Sequence, residues 1–115
     1  MERPSLKYLK TLSNGNEKFE VKILRVLITE LPEELDNYKK ALKAENYFWA
    51  AEIVHKINHK IAFFQMEQGF VLANQHELDL RDGKLNNQEE FLEIVTKILK
   101  FLPEYPEEPH ELHCS

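Results

Sequence analysis

Glycine is scarce in this chain, three among 115 residues. Sandwiches and barrels spend glycine on their many tight turns, so that scarcity argues against an all-β fold. Proline is nearly confined to the two ends, with Pro32 alone inside. The single cysteine, Cys114, has no internal partner, which removes a disulfide framework and fits a reducing, cytoplasmic setting. No apolar run approaches the roughly 20 residues that cross a bilayer, and Met1-Glu2-Arg3-Pro4 lacks the apolar block of a secretory signal. Basic residues are outnumbered 15 to 20, giving a net charge of −5. The overall field therefore repels nucleic acid and anionic membranes, and neither is expected as a partner. A glycine-rich phosphate loop, a nucleophile elbow and a paired-carboxylate constellation are all missing, which counts against a self-sufficient enzyme.

What the chain does have is helix-forming material. Hydrophobic residues make up 43 % and charged residues 30 %, an ordinary balance for one globular domain. Leu6, Leu9 and Leu12, with Tyr8 beside them, predict a short leading helix over residues 5–12, broken by Ser13-Asn14-Gly15-Asn16. From Asn16 to about Lys43, Phe19, Ile23, Val26, Leu27, Leu31, Leu35, Tyr38 and Leu42 recur every three or four residues, the mark of a long amphipathic helix. Pro32 removes an amide donor there and is expected to bend the helix without ending it, although Thr29 could cap a restarted one. After Ala44-Glu45-Asn46 a second long helix runs to residues 64–67, where Gln68-Gly69 interrupts it. A further helix over residues 70–81 aligns Phe70, Ala73, Glu77 and Leu80 and stops at Asp82-Gly83. Asn86 and Glu89 resemble a capping box opening the last helix, whose buried stripe is Phe91, Val95, Ile98 and Leu102.

Short breaks between four amphipathic helices predict an all-α, antiparallel up-and-down four-helix bundle with a short N-terminal capping helix, spanning residues 1–103. Residues 104–115 form an acidic, proline-rich tail expected to be extended or mobile.

The stretch organising this pattern is residues 46–61. Tyr47, Ala50, Val54, Ile57 and Ile61 make its apolar stripe, with Ala51 and Phe64 beside it. His55 falls off the stripe, among Ala51, Glu52, Asn58 and His59, and should present its imidazole to water.

Several spaced elements agree with one register: Leu6-Lys7-Tyr8-Leu9, then Ser13 to Phe19, Leu27-Ile28-Thr29-Glu30-Leu31-Pro32-Glu33-Glu34-Leu35, and Ala41 to Asn46. Asn46 stands nine residues before His55, and Ala51-Glu52-Ile53-Val54-His55-Lys56-Ile57 puts small and aliphatic residues before the histidine and an aliphatic one two after it. Over residues 6–102 this pattern resembles the histidine-containing phosphotransfer domains of bacterial phosphorelays. The register selects His55 over His59. It departs from the family three and four residues after the histidine, where lysine and glycine are usual and this chain has Asn58 and His59.

The resemblance implies a phosphocarrier. His55 would accept a phosphoryl group from a receiver-domain aspartate and pass it to another receiver, its neutral imidazole acting as nucleophile. Lys56, Asn58, His59 and Lys60 would neighbour the phosphoryl group, and Ala51, Glu52, Ala62 and Phe63 would dock the partner. The implied partners are a response-regulator receiver domain, a hybrid histidine kinase, or both, on separate molecules unless this sequence is an excised piece of a hybrid kinase. No cofactor is implied on this chain; the magnesium ion is expected on the receiver.

Two other readings compete. A helical adaptor could keep the bundle while the changes at Asn58 and His59 end phosphorylation. His55 and His59, four residues apart, could chelate a transition metal, though Lys56 follows the first histidine and no third ligand is evident, so no dedicated metal site is expected. His110, His113 and Cys114 are metal-capable types in the tail. Phe63, Phe64 and Met66 read as packing residues, Trp49 as a partly buried residue with a partner surface as its alternative, and Glu33-Glu34 with Lys39-Lys40 as a solvated face.

Overall fold

The computed structural model describes residues 2–102; the expected proline-rich tail, with His110, His113 and Cys114, lies outside the described residues. The described residues are all-helical in class. Five helices follow in order, α1 (Lys7–Ser13), α2 (Glu17–Lys43), α3 (Tyr47–Phe63), α4 (Glu67–Arg81) and α5 (Gln88–Phe101), with no strand among the described residues.

Several boundaries have a local cause. Asn16 and Asn46 start α2 and α3 by accepting the amide hydrogens of Phe19 and Trp49 on their side-chain oxygens, both at 3.0 Å; each cap satisfies an amide that has no partner within the helix. α2 runs unbroken through Pro32. Pro32 is exposed, its ring on the solvent side, and Leu31 and Leu35 beside it are buried, so packing holds the two halves in one helix. Gly83 adopts φ +74° and ends α4, with Lys84 donating its amide back to the Asp79 carbonyl at 2.8 Å.

Two sequence expectations change here. Gly69 lies inside α4, and the break falls earlier, at residues 64–66, with Gln65 at φ +60°. Gly69 is needed for closeness: a Cβ there would sit 3.3 Å from Ile94 and 3.5 Å from Ile61, so α4 approaches both α3 and α5 across it. The carboxylate of Glu2 makes the new start good, accepting from the amides of Gln68 and Gly69 at 2.7 and 2.9 Å. The capping box at Asn86 does not form. α5 instead begins at Asn87, in the left-handed region at φ +69° and with no side-chain cap.

The core draws on every helix. Leu9, Leu31, Tyr38, Ala50, Val54, Ile57, Ile61, Phe64, Ala73, Phe91, Val95 and Ile98 are fully buried. α3 packs on both α2 and α4, α5 on α4 and α2, and α1 on α2. The apolar stripe of α3 therefore faces inward, and its remaining surface is divided between a face toward α4 and a face toward α2.

Candidate functional site

His55 sits midway along α3, outside the inward stripe, and its side chain is 53 % exposed. On the α4 side its Nδ1 lies 3.0 Å from Oε1 of Glu77, a residue only 10 % exposed at the side chain. The other oxygen of Glu77 accepts from Arg81 Nε and Nη2 at 3.1 and 2.8 Å, and Arg81 Nη2 reaches on to Glu52 at 2.9 Å. The Arg81 guanidinium also lies 5.7 Å from the centre of the Phe48 ring. A single chain of contacts, His55–Glu77–Arg81–Glu52, thus laces α3 to α4.

This arrangement fixes the state of the imidazole. Burial pushes the Glu77 carboxyl up, but the hydrogen bonds from Arg81 and His55, with their charges, outweigh it and hold the group below its ordinary value. An ionised carboxylate only accepts. Neutral His55 must then donate Nδ1–H to Glu77, which leaves the lone pair on Nε2, and Nε2 makes no hydrogen bond among the described residues. The result is a half-exposed imidazole whose outward nitrogen is the nucleophilic one.

Of the residues singled out in the sequence, Glu52, Lys56, His59 and Ala62 are exposed on α3 with His55. The His59 ring lies 4.6 Å from that of His55, centre to centre, at 63°. Phe63 is half-buried, meeting Tyr8 of α1 edge-on at 5.2 Å. Three residues fall elsewhere. Ala51 is fully buried and offers no docking surface. Asn58 is 4 % exposed and its Oδ1 is buried without a partner, so most of the side chain is turned to the packed interior. Lys60 turns to α2, where Glu30 and Glu34 hold its ammonium at 3.1 and 3.0 Å. It is a clamp between α2 and α3, and its charge is already spent. Lys56 remains the exposed cation next to His55, on the rim of a groove toward α2 that Trp49, Glu33 and His59 also line.

Glu77 and Arg81 were missed as site residues. The signal was present for Glu77, because a carboxylate on the same line as Ala73 and Leu80 must find donors when buried. Nothing in local spacing tells that His55 is one of them. His76, next in sequence, was missed too. It is fully buried, with Nδ1 2.7 Å from the Asn86 carbonyl oxygen and Nε2 2.6 Å from the Tyr38 hydroxyl. The carbonyl can only accept, so Nδ1 carries the proton and Nε2 accepts from Tyr38. That network ties α2, α4 and the α4–α5 loop together at the residue preceding Glu77.

Comparison with protein-family models, with curated proteins and with solved structures returns no match to this chain.

Proposed function

We propose that the chain is a histidine phosphocarrier: α2–α5 form an antiparallel four-helix bundle, α1 covers one end, and His55 carries the phosphoryl group between receiver domains. One observation carries the reading. The His55 ring is exposed halfway along a helix, with its inner nitrogen tied to a buried carboxylate and its outer nitrogen bare.

The step asked of it is small. The Nε2 lone pair attacks phosphorus of a receiver's aspartyl phosphate, the N–P bond forms, and the acyl-phosphate P–O bond breaks with the pair leaving on the aspartate carboxylate. Nδ1 keeps its proton, so positive charge builds on the ring as the bond forms. Glu77 lies against that proton and stabilises the charge, as a buried carboxylate does behind a catalytic histidine. Lys56, exposed and next to His55 in the chain, is the cation assigned to the phosphoryl oxygens. The receiver brings the magnesium ion. Return of the group to a second receiver reverses these steps, and a carrier of this kind relies on its partners for most of the catalysis.

The adaptor reading draws on a specific feature: Asn58 is nearly buried and Lys60 is held by Glu30 and Glu34, so neither stands open at the surface. One experiment separates the two. Radiolabelled phospho-receiver domains are incubated with the protein and acid-labile label is followed. Label on the wild type and none on His55→Gln supports the carrier; label undiminished in His55→Gln refutes the assignment. A receiver that binds the wild type yet never labels it favours the adaptor.

A further inference from the structure

We propose that His55 and His59 together form an exchangeable chelating site for a first-row transition-metal ion, Cu2+ ahead of Ni2+ and Zn2+. The two residues stand one helical turn apart on α3, both exposed, with ring centres 4.6 Å apart. A separation of four residues places two imidazoles on one face at a distance that a single ion can span. Neither ring spends its outward nitrogens on a hydrogen bond among the described residues; the one bond made is Nδ1 of His55 to Glu77.

That bond is what turns a surface pair into a site. A carboxylate on the far nitrogen fixes the tautomer, aims Nε2 outward and raises its basicity, the arrangement that supports metal-ligating histidines. Glu77 is itself held by Arg81, so the ring is oriented before any ion arrives. His59, one turn on and with its ring centre 4.6 Å away, supplies the second nitrogen. Among the described residues no group of three or more metal-ligating side chains converges. Water therefore completes the coordination, and the ion exchanges instead of being locked in as in a structural site. Imidazole ligands and the ordinary order of divalent affinities put Cu2+ first. The site uses Nε2 of His55, so a bound ion and a phosphoryl group exclude each other at that atom.

The test uses the full-length chain without an affinity tag, titrated with CuSO4 and followed by calorimetry and by electron paramagnetic resonance. Expected are one ion per chain and hyperfine structure from two nitrogens. Glu77→Gln lowers the affinity about tenfold; His59→Ala lowers it further and reduces the nitrogen count to one. A chain carrying His110→Ala, His113→Ala and Cys114→Ser binds as the wild type does. The proposal is overturned if His59→Ala binds Cu2+ unchanged, if the tail variant alone loses the ion, or if no stoichiometric binding occurs. No receiver domain is present in the titration, so this outcome and that of the label-transfer experiment stand apart.

Discussion

Nδ1 of His55 and Oε1 of Glu77 meet at 3.0 Å across the contact between α3 and α4, joining an exposed ring to a carboxylate that is nearly covered. A free imidazole in water can carry its proton on either nitrogen. Here an ionised acceptor sits on one side only, so the choice is made by the fold.

The first prediction concerns that choice. In neutral wild-type protein, nitrogen NMR shifts of His55 report the proton on Nδ1. Glu77→Ala removes the acceptor and moves the population toward Nε2–H, and phosphotransfer to His55 slows by about 10²-fold or more, the scale of a lost group that orients and stabilises a reacting histidine. Glu77→Gln retains an acceptor without the charge and falls between. A wild-type ring already protonated on Nε2 would remove the basis for placing the chemistry there.

How far the sequence foretold this site depends on the range of the interaction. The inward stripe of α3, Ala50, Val54, Ile57 and Ile61, is buried as its spacing requires, and the same spacing put His55 at the surface. These are properties of one helix, and periodicity within one helix is what a sequence displays. The partner of His55 stands 22 residues away, on a helix whose rotation is set by packing, so no local pattern names it. Gly69 shows the opposite failure. Read alone it is a helix breaker, whereas the close approach of Ile94 and Ile61 makes it a packing residue within α4. The family resemblance implies Asn58 and Lys60 beside the phosphoryl group, three and five residues after His55; helical rotation carries one into the interior and the other toward α2.

Asn58 supplies a prediction that bears on this correction. Its buried Oδ1 has no partner, and an unsatisfied acceptor costs about 1–3 kcal/mol. Replacing Asn58 by Leu, which keeps the branch point and removes the unpaired acceptor but is larger, offsets that gain with crowding and changes stability by no more than about 1 kcal/mol in urea titration. Label transfer is unchanged as well, since the side chain is away from the surface. A transfer rate that collapses in a well-folded Asn58→Leu protein would return the residue to the phosphoryl site.

The two lysines divide between structure and chemistry. Lys60→Met strands Glu34, whose side chain is 17 % exposed, and costs about 1–3 kcal/mol in denaturant unfolding, with little effect on transfer. Lys56→Met does the reverse: stability stays within about 0.5 kcal/mol, while transfer slows because an exposed cation beside His55 is gone. Equal effects of both changes on transfer would show that Lys60 leaves its carboxylates during the reaction.

Acid sensitivity comes from the group behind the site. His76 is fully buried, and that burial lowers its pKa below the ordinary 6.5 despite the proton acceptor at Asn86 and the charges of Asp79 and Glu90. The unfolded chain therefore binds a proton at a pH where the folded chain does not. Stability from this residue is complete above about pH 6.5 and is lost as pH falls through the lowered value. Glu77, held below its ordinary 4.5, adds a second loss at lower pH by the same sign: present above that value, gone as the carboxylate is protonated in the fold. Urea midpoints measured from pH 7.5 down to 4 should fall first below about 6.5 and more steeply below about 4.5. Tyr38→Phe separates the two. The Tyr38 hydroxyl is the only donor to Nε2 of His76 among the described residues, so its removal leaves a buried acceptor unpaired and costs about 1–3 kcal/mol at pH 7.5. The Glu77 loss persists in that variant, because none of its partners is touched. His76→Gln, by contrast, should flatten the loss beginning near pH 6.5 while keeping the lower one, and a first loss undiminished in His76→Gln would assign it to another histidine.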